Sequence, residues 1–231
     1  MQLKILSGGA AYGLVQALRA EFEGKTHVTI DGDFGAVGGM KDRILAGEAV
    51  DLIILTRAII DTLATRGKVM IDTIVDVGKV ETGIAVRSGD AVPQVANGDQ
   101  LRAALLEADA IYFPDPKLAT AGIHFARVLA DLGIDGDVNE RQRPYPNGAM
   151  AMAAMAKSKD GHPIGCTQVT EILNTPGVDL VATLPAGHEL VTIYTAAVGA
   201  AAAQPDAAKI FARMLTGPDA QAARIRAGFS V

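Results

Sequence analysis

The chain has 231 residues, of which 49% are apolar and 20% charged, a composition typical of a globular protein with a sizeable core. Its net charge is -5 and it lacks any dense run of lysine and arginine, which argues against non-specific binding to nucleic acid. A single cysteine, Cys166, excludes an intrachain disulfide bond and any metal site built from several cysteines.

The first third of the chain alternates between strand-like and helix-like segments. Strands are predicted over residues 3–6, 27–30 and 50–55, and helices over residues 12–22, 40–46 and 59–65. This βαβαβα order is typical of a doubly wound α/β layer. The third strand is apolar except for Asp51, which favours a parallel sheet covered on both faces.

Two long β-rich segments, residues 73–87 and 178–197, interrupt this alternation. The other predicted elements are strands over 110–113 and 163–166 and helices over 100–108, 122–132, 149–156, 169–173, 205–215 and 219–227. Long strands of this kind often bend or pass between sheets. We therefore predict two doubly wound α/β lobes joined by a two-strand hinge: residues 1–80 plus 191–231, and the inserted residues 81–190. A ligand is expected between the lobes.

Six apolar segments end in a cluster of glycine, alanine and hydroxyl-bearing residues, after which a helix-like pattern begins. The clusters are residues 7–11, 34–39, 55–57, 119–124, 146–150 and 165–168. Small residues at a strand-to-helix turn leave backbone N–H groups free at the start of the helix, and such groups attract anions. Six turns of this type in one chain predict a pocket lined mainly by backbone.

Four segments match the order of motifs in one known family. They are residues 3–13; residues 43–51, Arg-Ile-Leu-Ala-Gly-Glu-Ala-Val-Asp; residues 115–122, with Asp-Pro and then Thr-Ala-Gly; and the closing pattern from Tyr194 to Phe229. In this order they resemble the molybdate-binding proteins of ABC importers over nearly the whole chain. The resemblance implies the type II periplasmic binding-protein fold, a small anionic ligand and, if the protein is exported, the membrane component of an ABC transporter as its partner.

One departure from this family changes the expected ligand. Molybdate-binding proteins of this type place a serine in each of the first two turns, whereas the matching positions here are Ala10 and Gly38 (or Val37). A charged hydrogen bond contributes about 1.5–3 kcal/mol, so the loss of two argues against tight molybdate binding. The fold also includes enzymes, and aconitate isomerase is similar to molybdate-binding proteins. The lost serines fit that branch or a binder of organic acids.

The turns supply the candidate ligand-binding residues, which are Gly8, Gly9, Ala10, Ala36, Val37, Gly38, Thr56, Arg57, Thr120, Ala121, Gly122, Asn147, Thr167 and Gln168. Thr120, Asn147 and Thr167 precede predicted helices and can equally serve as N-caps. Arg57 follows the third strand directly, where its planar guanidinium suits a carboxylate better than lysine does, although a surface arginine is the alternative. Arg143 is a weaker candidate of the same kind.

Three side chains could carry proton transfer if the chain is an enzyme. His124 lies one turn into a predicted helix, Glu171 begins another, and Cys166 ends a strand. Each also has a structural interpretation: a packed histidine, a carboxylate that favours the helix macrodipole, and an inert buried thiol.

Two functions from different classes remain open at this point. The favoured one is a solute-binding protein that holds a small carboxylate or oxyanion in the cleft between the lobes. The alternative is a cofactor-free isomerase of a small polycarboxylate, in which a group removes a proton beside one carboxylate and a proton is returned elsewhere. Neither function requires a metal or cofactor.

The expected location follows from the start of the chain. No stretch approaches the roughly 20 apolar residues of a membrane span, so direct membrane insertion is not expected. Residue 1 leads straight into a strand-like segment without the features of a signal peptide. The sequence as written therefore predicts a cytoplasmic protein, or a periplasmic one if a leader has been removed.

Overall fold

The computed structural model describes residues 1–230, which form two compact units. Unit 1 contains residues 1–80 and the segment that begins at Thr192, and unit 2 contains residues 81–191. The chain therefore leaves unit 1 once and returns to it once.

Unit 1 is built on β1 (Gln2–Gly8), β2 (Thr29–Gly35), β3 (Leu52–Thr56) and, apart from its first residue, β9 (Val191–Val198). Strand β1 pairs in parallel with β2 and β3, and β9 pairs antiparallel with β3. Its helices are α1 (Tyr12–Thr26), α2 (Val37–Leu45), α3 (Arg57–Thr65), α8 (Pro205–Thr216) and α9 (Gln221–Arg226). The fully buried side chains of β3 and the contact of Phe22 with Phe211, at 4.8 Å between ring centroids, form the core.

Unit 2 contains most of β4 (Val75–Arg87), together with β5 (Ala110–Pro114), β6 (Gln142–Tyr145), β7 (Pro163–Gln168) and β8 (Val178–Thr183). Strand β5 is parallel to β6 and β7, whereas β4 is antiparallel to β7 and β8. Its helices are α4 (Gly98–Glu107), α5 (Thr120–Asp131), α6 (Gly148–Ala156) and α7 (Val169–Leu173). Phe113 and Phe125 pack edge to face at 5.4 Å within its core.

The structure corrects several predicted boundaries. Strand β2 continues to Gly35, well past the predicted end at residue 30, because this exposed edge strand carries polar residues that hide the strand pattern. Helix α2 begins at Val37, although two glycines with low helix propensity follow directly. Strand β6 is absent from the predicted elements, because it is short, polar and interrupted by Pro144, a residue that a sheet tolerates only near an edge.

Among the described residues, no helix is both long enough and apolar enough to cross a membrane.

Candidate functional site

Three parallel strands of unit 1 end at the same edge of its sheet. Gly8 at the end of β1 pairs with Gly35 at the end of β2, and Ser7 pairs with Ile54 of β3. A helix follows each strand at once: a short 3-10 turn and α1 after β1, α2 after β2, and α3 after β3. The first three small-residue turns of the sequence therefore lie side by side in this unit.

The helical segments that follow these strands begin without a side-chain cap. The preceding residues are Gly8, Ala36 and Thr56, all with extended backbone, and none of these three described residues accepts a first-turn hydrogen bond through its side chain. Gly8 and Ala36 have no polar side-chain atom to offer, and the Thr56 hydroxyl makes no cap bond. The positive ends of the helix dipoles therefore remain uncompensated by the cap residues, a condition that favours an anion.

Tyr194 of β9 lies against the first of these turns. It pairs with Thr56 across the β3–β9 ladder and is 3% exposed. A Cβ atom on Gly8 would lie 2.8 Å from Tyr194 Cε1 and 2.8 Å from Val37 Cγ1, so only glycine fits there. Tyr194 was noted in the sequence only within the closing family pattern, since no local signal tells which turn a strand from the other end of the chain will contact.

An aromatic pair flanks the first two turns. Tyr12, the first residue of α1, meets Phe34 edge to face at 5.2 Å between ring centroids, and Tyr12 is 47% exposed. This pair places apolar surface beside the uncapped helix starts, which an inorganic oxyanion would not use.

Arg57 lies at the end of β3 as predicted, but its charge is already paired. One guanidinium nitrogen donates to Asp76 Oδ1 at 2.6 Å, and Nε lies 3.4 Å from Asp61 Oδ1. The buried Thr195 hydroxyl donates to the same oxygen of Asp76 at 2.7 Å and so holds this carboxylate in place. The guanidinium is half exposed, so these ion pairs contribute little to stability.

In unit 2, the turn after β5 differs from its prediction. Ala119 precedes α5 and Thr120 is the first residue of the helix, so the prediction of Thr120 as an N-cap was wrong. Gly122 packs so close to the end of β5 that a Cβ atom would lie 2.2 Å from the carbonyl oxygen of Pro114. Ala121 is buried beside it, and the Thr-Ala-Gly sequence of this turn therefore serves close packing of helix on strand.

The turn before α6 is occupied by side chains of the chain itself. Asn147 is the N-cap, as predicted, and its Oδ1 accepts the Met150 N–H at 2.9 Å. The Glu171 carboxyl group accepts hydrogen bonds from the backbone of Gly148 and Ala149, the first two residues of α6. The start of this helix therefore has acceptors that the helix starts of unit 1 lack.

Glu171 is buried, with 7% of its surface exposed. Thr167 Oγ1 donates to its Oε2 at 2.5 Å, and the backbone of Gln168 also donates to it. Burial raises the pKa of Glu171 above its ordinary value, and these hydrogen bonds oppose the rise without cancelling it. Thr167 itself lies inside β7 and Gln168 is the residue before α7, so the prediction of Thr167 as an N-cap was wrong.

The remaining predicted side chains do not share one catalytic cluster. Cys166 is fully buried within β7 rather than at its end, and burial raises the pKa of its thiol well above the ordinary value, which keeps it protonated. His124 Nε2 lies 2.8 Å from the His188 carbonyl oxygen and must carry a proton to donate to it. Arg143 is exposed and donates to the carbonyl oxygens of Glu140 and Gln142. Within residues 1–230, no group of three or more potential ligands is placed to hold a metal ion.

A sequence profile of bacterial extracellular solute-binding proteins matches residues 3–230. The chain belongs to this family. The resemblance noted in the sequence is thereby confirmed at the level of the family.

Three relatives of this solute-binding protein bear on its fold. An aconitate isomerase from Pseudomonas sp is 26% identical over 226 residues, which cover 94% of this chain and 83% of that protein. The Azotobacter vinelandii periplasmic molybdate-binding protein matches with a TM-score of 0.81 and 17% identity, over 99% of both chains. The sulfate-binding protein of Mycobacterium tuberculosis H37Rv matches with a TM-score of 0.77 and 19% identity, over 99% of this chain and 86% of that one. The predicted type II periplasmic binding-protein fold is confirmed.

Proposed function

We propose that this solute-binding protein binds a small organic anion, a carboxylate, at the carboxyl ends of β1, β2 and β3 in unit 1. The observation that carries the proposal is that the helical segments after these strands begin side by side without a side-chain cap from Gly8, Ala36 or Thr56. Backbone N–H groups at adjacent helix starts can bind the two oxygens of a carboxylate without any cationic side chain.

Two features favour a carboxylate over molybdate or sulfate. Ala10 is buried and Val37 and Gly38 begin α2, so the first two turns offer no hydroxyl at the positions where molybdate-binding proteins place serines. The exposed face of Tyr12, held by Phe34, supplies apolar surface for the carbon skeleton of an organic ligand.

Arg57 serves a second carboxylate in this proposal. It is the first residue of α3, and Asp76 and Asp61 hold its half-exposed guanidinium close to that helix start. A ligand with two or three carboxylates could replace Asp61, the more distant of the two partners, and form a bidentate pair. This feature favours dicarboxylates and tricarboxylates over monocarboxylates.

An alternative function is a cofactor-free isomerase of a small polycarboxylate, and the aconitate isomerase relative supports it. Of the three predicted proton carriers, His124 is the most suitable. Cys166 is fully buried, and Glu171 is buried and hydrogen-bonded to Thr167, so neither side chain is free to reach a substrate. His124 is only half-buried, so its ring can meet solvent or a ligand without the exposure of a core group. Such a proton shift would also begin with carboxylate binding, so the two functions share the first step.

One experiment separates these functions. In a thermal-shift panel, small dicarboxylates and tricarboxylates should raise the melting temperature, while molybdate, tungstate and sulfate at equal ionic strength should have much less effect. The panel is repeated with trans-aconitate in deuterated water, followed by proton NMR. Stabilisation with neither deuterium uptake nor formation of cis-aconitate supports the binding function. Deuterium uptake into trans-aconitate, or formation of cis-aconitate, supports the isomerase. Selective stabilisation by molybdate would contradict both.

The proposed solute-binding function implies a location and a partner in the cell. If the protein is exported, we expect it to lie outside the cytoplasmic membrane and deliver its ligand to the membrane component of an ABC transporter. The family to which it belongs, described as extracellular and solute-binding, supports this assignment.

A further inference from the structure

A cavity in unit 1 contains a buried arginine whose charge has no acidic partner among the described residues. The cavity has a volume of about 410 Å³ and is lined by residues of β4, β9, α8 and α9 and by Ser230. Arg224 of α9 forms part of its wall and is only 8% exposed. Within residues 1–230, its guanidinium group forms no ion pair with a carboxylate.

The hydrogen bonds of this guanidinium group satisfy one of its three nitrogens. Nη1 donates to the carbonyl oxygens of Leu215 and Gly217, at 2.8 and 3.1 Å, where α8 ends. In the part of the chain that the structure describes, the edge formed by Nε and Nη2 has no acceptor. The carbonyl groups carry no formal charge, and the dipole of α8 offsets only part of the charge that arginine retains in proteins. Because buried charges are ordinarily paired, Arg224 is a cation that lacks its anion.

A second cation lines the same cavity. Lys79 is exposed there and, like Arg224, forms no ion pair with any described residue. The described lining contains one acidic residue, Asp76, whose Oδ1 already accepts hydrogen bonds from Arg57 at 2.6 Å and Thr195 at 2.7 Å. Since Arg57 balances the charge of Asp76, both cations of the lining remain available to an anion.

We propose that this cavity is a second anion site and that it binds a small molecule through a phosphate group. The Nε–Nη2 edge of Arg224 binds phosphate oxygens at the buried end of the cavity, and the Lys79 ammonium group binds another at the exposed end. A tetrahedral phosphate directs oxygens toward both cations at once, whereas a carboxylate presents only two oxygens in one plane. The side chains of Val77 and Ile193 add apolar surface for an attached carbon skeleton.

This site does not depend on the proposed function. None of its described lining residues lies at the starts of α1, α2 or α3, where the carboxylate is proposed to bind. The two sites are neighbours through Asp76, which lines the cavity and accepts from Arg57. Each can therefore be followed separately in the same chain by resonances of its own residues.

The test titrates the whole chain with inorganic phosphate and with phenyl phosphate, using chloride at equal ionic strength as the reference, and follows backbone amides by NMR. We expect phosphate to shift the amides of Gly78 and Lys79 and to raise the melting temperature more than chloride does. Tighter binding of phenyl phosphate indicates an organic phosphate as the natural ligand. Unchanged Gly78 and Lys79 amides, or equal shifts with chloride, overturn the proposal. A chain that binds phosphate here, while succinate leaves Gly8 and Ala36 unchanged, keeps this site and loses the proposed function.

Three variants assign the phosphate response to the cavity. Lys79→Gln removes the exposed cation and should weaken phosphate binding about fivefold. Arg226→Gln is the matched control, because it removes an exposed positive charge of the same unit outside the described lining, and it should bind as the parent does. Arg224→Gln removes the buried charge, keeps an amide donor for the Leu215 carbonyl group, and should abolish the response. If Arg224→Gln does not fold, the comparison of Lys79→Gln with Arg226→Gln decides, and equal affinities in these two variants contradict the site.

Discussion

Helices α2 and α6 have the same length, nine residues, and both follow a cluster of small residues, yet their starts are opposite in character. Ala36 precedes α2 and offers no acceptor, whereas Asn147 precedes α6 and caps it. The Glu171 carboxyl group adds a second acceptor at α6 alone. The comparison teaches that a small-residue turn indicates only a potential anion site, because the charge at the helix start depends on which distant side chain reaches it.

The largest expected effect comes from the glycine that makes room for the carboxyl group. Gly148→Ala places a methyl group within 2.0 Å of Glu171 Oε2, and we expect it to lower the free energy of unfolding by about 3 kcal/mol. The matched change in α2 is Gly39→Ala, whose new Cβ atom meets nothing within 4 Å and should raise the free energy of unfolding by about 0.5–1 kcal/mol. Urea-induced unfolding followed by circular dichroism measures both. Similar values for the two variants would show that the two helix starts do not differ as described.

The second prediction converts the α2 start into one that resembles α6. Ala36 has extended backbone, so Ala36→Asp can cap α2 and add a negative charge where the proposed solute binds. We expect about a thirtyfold weaker affinity for the stabilising carboxylate, about 2 kcal/mol, in a calorimetric titration. Ala36→Asn adds a neutral cap of the same shape and should weaken binding far less, while both variants gain about 1 kcal/mol of stability. An Ala36→Asp chain that binds as tightly as the parent would exclude the α2 start from the site.

The smallest expected effect is a pH dependence that only the α6 start should show. Burial raises the pKa of Glu171 above its ordinary value of 4.5, so the folded chain holds this proton more tightly than the unfolded chain does. The stabilising contribution is therefore complete below about pH 4.5 and is lost as the pH rises through the raised pKa. The stability of the parent relative to Glu171→Gln should fall over this interval, with a slope of at most about 1.4 kcal/mol per pH unit. Glu107 is exposed, so the stability difference between the parent and Glu107→Gln should not change over this pH interval. If the difference between the parent and Glu171→Gln does not change with pH either, the raised pKa of Glu171 is contradicted.

Much of the fold could be predicted because it depends on local patterns. The apolar spacing of Leu14, Leu18 and Phe22 predicts α1, and the apolar segment after Asp51 predicts β3. Segments whose pattern is polar were predicted less well, as the late end of β2 and the missed strand β6 show. An exposed edge strand is stabilised mainly by backbone hydrogen bonds to its neighbour. Its side chains therefore need not follow the alternating apolar pattern from which strands are predicted.

The candidate site was harder to predict because its details depend on contacts between distant residues. The sequence indicates that Arg57 follows β3, but not that Asp76 of another strand pairs with it at 2.6 Å. It shows Glu171 at the start of α7, but not that its carboxyl group reaches the start of α6. Tyr194 contacts Gly8 from nearly the other end of the chain. Local sequence patterns carry no information on such long-range partners.

The return of the chain to unit 1 has a consequence for biosynthesis. Unit 2 is one continuous segment, whereas unit 1 needs the residues that follow Thr192, including Phe211 of α8, which packs on Phe22 of α1. Domains generally fold as units while the ribosome delivers the chain from its N-terminus. The middle of this polypeptide can therefore mature before its beginning, and the nascent β1, β2 and β3 must wait, partly uncovered, until the last helices emerge.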